Sequence, residues 1–112
     1  SDMTPEDRAA LRKAFQEVNK KYPAPPATVK HVADHIDHIV KVAGIDHVGI
    51  GCDFDGGGGI EGVFDASEVM NITIELVNRG YTEKQIAKIW GGNLIRVFEE
   101  VQAVAKEIQA KG

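Results

Sequence analysis

Val48-Gly49-Ile50-Gly51-Cys52-Asp53-Phe54-Asp55-Gly56 is the stretch on which the reading of this chain turns. With His47 it opens as a short, apolar, glycine-bearing run, and 47–51 reads as a β-strand buried on both faces, as in a parallel sheet. Gly49 and Gly51 allow a second backbone to approach closely. Asp-Phe-Asp-Gly follows at once, so carboxylates stand at the C-terminal end of a strand, where β/α barrels and doubly wound sheets carry catalytic groups. A carboxylate there can ligate a metal, accept a proton from a metal-bound water, or hold a substrate ammonium. The competing reading is an Asx turn, in which Asp53 or Asp55 accepts backbone N–H bonds as the loop begins. Asp55-Gly56 is the more turn-like of the two. The residues by themselves leave both readings open.

Around this strand everything else reads as helix or loop. Thr4, Pro5, Glu6 and Asp7 form a helix start, with a cap, a proline at the first position and acidic residues at the positive dipole end. That helix covers 4–20, with Leu11, Phe15 and Val18 as a sparse apolar stripe. The prolines of Tyr22-Pro-Ala-Pro-Pro-Ala27 exclude helix and predict an extended connector. A strongly amphipathic helix follows over 28–43, ended by Gly44, with Val29, Val32, Ala33, Ile36, Ile39, Val40 and Ala43 on one face. Asp65-Ala-Ser-Glu68 and Thr82-Glu-Lys-Gln85 are capping-box patterns that open helices over 65–79 and 82–90. Gly91-Gly92 then breaks the chain, Asn93 caps again, and a last helix spans 93–110 with Leu94, Val97, Phe98, Val101 and Val104 as its stripe. The sum is about five helices and one strand. A lone buried strand leaves its N–H and C=O groups without partners, so its neighbours must come from another copy of the chain or from a larger β/α body.

Composition narrows the function classes. With 112 residues, this is one domain at most or a piece of one. A formal net charge of −4 and a pI near 5.5 argue against a nucleic-acid partner. No apolar run reaches the roughly 18 residues of a membrane span, and no signal-peptide pattern opens the chain. Ser1-Asp2 reads as the remnant of a cleaved tag. Localisation stays open. The single cysteine, Cys52, excludes an intrachain disulfide and has no nearby cationic residue in sequence to activate it.

Three further candidates carry less. His31, His35 and His38, with Asp34 and Asp37 beside them, have spacings that can bind Zn²⁺ or Ni²⁺, but they lie on the polar side of their helix and read as a solvated face. His47 reads as structural. Gly56 to Gly59 lacks the Lys-Ser/Thr of a phosphate loop and reads as the most mobile point of a loop over a site.

Four stretches, in order, resemble one family. His35-Ile-Asp-His-Ile39, then Asp46-His-Val-Gly-Ile-Gly-Cys-Asp-Phe-Asp-Gly56, then Arg79-Gly-Tyr-Thr-Glu83, and Gly91-Gly-Asn-Leu-Ile-Arg-Val-Phe98 are similar to the C-terminal part of the membrane (renal) dipeptidases. The likeness extends over about residues 4–104. It implies an α/β fold in which 1–112 is the C-terminal fragment of a TIM-type (β/α)₈ barrel, mostly helical. On this reading 4–20 is an inserted helix, 28–43 the helix before the last strand, 47–51 the last strand, and 65–79, 82–90 and 93–110 the C-terminal helices.

The resemblance also implies zinc metallopeptidase chemistry, with two zinc ions and a metal-bridging water that attacks a dipeptide bond. It selects Asp53, the first aspartate of the pair, as the catalytic and substrate-binding residue present here, with Asp55 and Gly56 supporting the neighbouring loop. The family's metal ligands, a His-x-Asp pair, a bridging Glu and two more histidines, match nothing in this chain, so no zinc is expected to be held by it alone and the fragment is expected to be inactive. Cys52 stands where related sequences more often carry Ser, Thr or Gly. The expected partners are a dipeptide in the full enzyme, and either the rest of the barrel or a second copy of the chain. The alternative from a different class is a non-catalytic helical module that forms homo-oligomers through its single strand and apolar helix faces.

Overall fold

The computed structural model of the chain describes residues 3–56 and 59–112. The expectations for Ser1-Asp2 and for the middle of the glycine run, Gly57 and Gly58, lie outside these residues.

Local chemistry sets most of the helices. Helix α1 is Pro5–Lys21. Thr4 Oγ1 accepts from the Asp7 N–H at 3.1 Å, and the Asp7 carboxylate accepts from the Thr4 N–H at 3.0 Å, so two donors at the helix start are satisfied reciprocally. After the proline-rich connector, helix α2 covers Val29–Ala43 and buries Ala33 and Ile36. Gly44, at φ 94°, takes the left-handed conformation that ends it. Helix α3, Met70–Asn78, turns Ile72 and Leu76 inward, and Gly80 follows at φ 89°. Helix α4, Glu83–Ala87, starts on a reciprocal cap between Thr82 and Gln85. Helix α5 is Asn93–Lys111.

Three sequence expectations are corrected. There is no strand among the described residues. Ile45–His47 is a 3₁₀ turn, and Val48 continues in extended backbone (φ −116°, ψ 141°) with no ladder partner beside it. A strand is defined by its neighbour, and the groups that bond this segment's backbone, the Ile89 carbonyl and the Asn93 side chain, belong to helical elements. The expected helix over 65–79 begins instead with the 3₁₀ turn Ala66–Glu68, because Asp65 Oδ1 accepts from the Ser67 N–H at 2.8 Å while the Glu68 carboxylate reaches back one residue further, to the Phe64 N–H at 2.8 Å. The expected break at Gly91-Gly92 is present, as a kink at Gly91 within the π-turn Lys88–Gly92 between α4 and α5, but the residue after it does not cap. Asn93 is therefore not a cap: it is helical and buried.

The core consists of Ile36 from α2, Val48, Val63, Ile72 and Leu76 from α3, Ile86 from α4 and Ile89 from the π-turn. The loop before α3 closes over it. Glu61 N–H donates to the Ala27 carbonyl (2.8 Å) and Val29 N–H to the Glu61 carbonyl (3.0 Å), which ties this loop to the start of α2.

Large parts of the chain stay outside this core. Helix α1 buries none of its residues. On α5, Leu94, Phe98 and Ile108 are 74%, 60% and 65% exposed. The radius of gyration is 19.9 Å, against about 13 Å for a compact chain of this length. The accessible surface is 8884 Å², where a compact protein of this mass shows about 6,000 Å². Both apolar stripes foreseen on α1 and α5 exist, and among the described residues nothing covers them.

Candidate active site

Asp53 stands at the free end of the extended segment that starts at Val48. Two anchors hold the beginning of that segment. Asn93, 7% exposed, donates both protons of its side-chain amide, to the Ile45 carbonyl at 2.8 Å and the Val48 carbonyl at 2.9 Å. The Ile50 N–H donates to the Ile89 carbonyl at 3.3 Å. Val48 is buried in the core, whereas Gly51, Cys52 and Asp53 are exposed. The segment is thus fixed at its root and open at its tip.

At the tip, Asp53 Oδ1 accepts from the Gly56 N–H at 3.1 Å. This is the turn-type bond weighed for Asp53 in the sequence, and it leaves the rest of an exposed carboxylate available. A Cβ on residue 56 would lie 2.6 Å from Asp53 Oδ2 and 2.9 Å from Oδ1, so Gly56 is the residue that makes room for the carboxylate. Asp55 is exposed. Beside Asp53 lies an apolar cavity of about 160 Å³ whose walls include Val32 of α2, Ile50, Phe54, Val63 and Ile72 of α3.

Helices α2 and α3, which carry those walls, are locked by a polar network. Arg79 Nη1 donates to Asp34 Oδ1 (2.8 Å) and Asp37 Oδ2 (2.6 Å), its Nε to Glu75 Oε1 (2.9 Å) and its Nη2 to the Lys30 carbonyl (3.0 Å). The Tyr81 hydroxyl donates to Asp37 Oδ1 at 2.7 Å. Tyr81's hydroxyl bond, and then the Arg79 guanidinium, hold the Asp37 carboxyl below the usual range against the opposing effect of its partial burial. Burial first, and the bond to Asp37 second, push the Tyr81 hydroxyl up to about 12. On the opposite side of the segment, Lys88 pairs with Asp46 and lowers that carboxyl, while Arg96 Nη2 donates to the Asp46 carbonyl at 2.8 Å.

The structure separates the remaining candidates from any site. Among the described residues no three His, Cys, Asp or Glu side chains converge closely enough to hold a metal ion. His31 Nδ1 accepts from the Thr28 N–H at 3.0 Å and so serves the start of α2, and Asp34 and Asp37 belong to Arg79. His35 and His38 are exposed. Cys52 is an exposed free thiol. Gly-Gly before Asn marks a helix break and so points to a cap at Asn93; the signal for its actual role is a polar side chain followed by the apolar residues of a long helix. The links from Arg79 to α2 carry no such local signal, since Lys30, Asp34 and Asp37 lie more than 40 positions away.

Comparison with known proteins places this geometry in context. The family model described as membrane dipeptidase, peptidase family M19, matches residues 10–112. The chain is 41% identical over 80 residues to dipeptidase tcpJ of Claviceps purpurea, a match covering 70% of this chain and 19% of that protein. It is 37% identical over 99 residues to an uncharacterized dipeptidase of Schizosaccharomyces pombe, covering 87% of this chain and 24% of that one. The crystal structure of the probable dipeptidase PvdM from Pseudomonas aeruginosa superposes with a TM-score of 0.79 at 42% identity, over 90% of this chain and 25% of that chain. The chain spans about a fifth to a quarter of the length of the curated relatives it matches.

Proposed function

Because the chain belongs to the membrane dipeptidase family, peptidase family M19, we propose that it is the C-terminal part of a dipeptide-hydrolysing enzyme built on a (β/α)₈ barrel. The observation that carries this reading is the placement of Asp53. Its exposed carboxylate, steadied by the Gly56 N–H, ends an extended segment that has no strand on either side among the described residues. In a completed barrel the flanking strands would supply the missing ladder, and the uncovered stripes of α1 and α5 would lie against the added body. Asp53 then holds the ammonium of a bound dipeptide by a charge-assisted hydrogen bond, while Asp55 and Gly56 shape the loop beside it.

The zinc ions that the family resemblance implies do not fit the residues here, since no converging ligand set exists among those described. On this reading their ligands belong to the parent protein outside this chain. The purified 112-residue chain is therefore expected to show no dipeptide hydrolysis with added Zn²⁺, and turnover would refute the proposal. In the parent-length protein, Asp53→Asn is expected to lower kcat/KM by about 10²–10⁴; an unchanged value removes Asp53 from the site.

A second reading is favoured by one observation. Leu94, Val97, Val101, Val104 and Ile108 recur at alternating steps of three and four along α5, and all are exposed, which is the spacing of a helix-pairing seam. On this reading the chain is a non-catalytic helical module that self-associates. Light scattering distinguishes it: a concentration-dependent dimer supports self-association, and a clean 12.1 kDa monomer at high concentration excludes it.

A further inference from the structure

The π-turn between α4 and α5 has a specific effect on the segment that carries Asp53. In an uninterrupted α-helix the Ile89 carbonyl would accept from the Asn93 N–H, four residues on. Here Gly91 leaves helical geometry (φ 172°, ψ −19°), and the Asn93 N–H reaches back five residues to the Lys88 carbonyl. The Ile89 carbonyl instead accepts from the Ile50 N–H at 3.3 Å. The same extra residue places Asn93 where its side-chain amide spans the Ile45 and Val48 carbonyls, at 2.8 and 2.9 Å. Two neighbouring features keep the turn in place. A Cβ on residue 92 would come within 3.2 Å of the Ala87 carbonyl oxygen, so a side chain there is crowded. Trp90 Nε1 donates to Thr73 Oγ1 of α3 at 2.8 Å and fixes the turn's rotation against the core.

We propose that Gly91-Gly92-Asn93 is a positioning clasp for Asp53: the π-turn turns one helix carbonyl and one side-chain amide toward the extended segment and aims its tip. Inserted helical residues of this kind recur at functional sites because they redirect groups that a regular helix keeps for itself. Asn93 is a positioning residue, with no contact to Asp53 itself. The clasp replaces, with three hydrogen bonds from a helix junction, part of the pairing that a strand normally obtains from its neighbours. The proposal rests on the peptidase reading only for what Asp53 does; that the clasp holds the segment is independent of it.

The test is amide hydrogen exchange by NMR on the full 112-residue chain, which needs no substrate. Asn93→Ala is compared with wild type and with Arg96→Gln, which removes a neighbouring donor to the Asp46 carbonyl but no part of the clasp. Asn93→Ala is expected to speed exchange at the Ile50 amide by about tenfold or more, and to shift the Gly56 amide signal, which reports the bond to Asp53. Arg96→Gln is expected to leave both near wild type. Unchanged Ile50 exchange in Asn93→Ala overturns the clasp. Faster Ile50 exchange with an unmoved Gly56 signal overturns its positioning of Asp53. Should Asn93→Ala fail to fold, the wild-type chain supplies the measurement. The side-chain amide protons of Asn93 are expected to exchange at least about tenfold more slowly than those of exposed Asn19, and equal rates refute the proposal. Failure of the peptidase reading would appear elsewhere, as an Asp53→Asn parent enzyme with undiminished activity.

Discussion

Replacing Arg79 by alanine is expected to loosen the α2–α3 pair that forms the wall beside Asp53. The side chain is 21% exposed and makes four hydrogen bonds, three of them to carboxylates. These are unequal. Asp34 is 62% exposed, and a pair so open contributes at most about 1 kcal/mol. Asp37 is 43% exposed, so its contribution is reduced by solvent screening to about the same size. Glu75 is 16% exposed, and losing its partner costs about 1.5–3 kcal/mol. Arg79→Ala is therefore expected to destabilise by about 2–4 kcal/mol. Urea denaturation followed by circular dichroism measures this: with an m-value of about 1–2 kcal/mol/M, the midpoint falls by about 1–4 M. Arg79→Lys keeps the charge but loses the fork, and lands between the two.

Acid supplies an independent check on Arg79. The Asp37 carboxyl is held low by Tyr81 and then by Arg79. A depressed carboxyl contributes stability that is present above its unfolded value, near about 4, and is lost as pH falls through the folded value. The wild type should lose this contribution on acidification below about pH 4, so the gap between wild type and Arg79→Ala narrows at low pH. A midpoint within about 0.3 M of wild type at pH 7, or a gap that widens in acid, refutes the argument.

Three more outcomes follow from particular contacts. Gly56→Ala is expected to turn the Asp53 carboxylate away, because the new methyl carbon would stand 2.6 Å from Oδ2; an unmoved Asp53 carboxyl signal in ¹³C NMR counts against this. Tyr81, raised to about 12, contributes stability that is present below its ordinary value near about 10 and is lost between there and the raised value. Phenolate absorbance, with Tyr81→Phe to assign the component, checks it; a Tyr81 component at the ordinary value ends the argument. Leu76, fully buried, belongs to a small core, so Leu76→Ala is expected to cost about 2–5 kcal/mol and to abolish the near-ultraviolet dichroism of folded Trp90; a change under about 1 kcal/mol in denaturation would show a core already loosely packed.

What was legible in the sequence is what neighbours along the chain decide. The starts at Thr4 and Thr82 and the ends at Gly44 and Gly80 are short-range events, set by residues within one turn of each other, and they are seen where the capping and glycine rules put them. The inner face of α2, with its buried Ala33 and Ile36, followed from spacing alone. So did the uncovered stripes of α1 and α5 as patterns, because periodicity reports what a helix face is made of. Periodicity does not report what that face touches.

The sequence by itself thus determined the helices, the apolar faces and the position of an Asp-Phe-Asp-Gly tip at the end of a short apolar run, all of them consequences of side-chain period and local hydrogen bonding. The family likeness carried by the same residues was also visible there. Only the tertiary structure decided that the run is extended without being a strand, that Asn93 is a buried clasp where a cap was expected, and that Arg79 joins α2 to α3. Each of these depends on a partner distant in the chain: the Ile89 carbonyl for Ile50, the Ile45 and Val48 carbonyls for Asn93, and Asp34 and Asp37 for Arg79. A backbone group must find a hydrogen bond when it leaves water, but which group satisfies it is settled by packing.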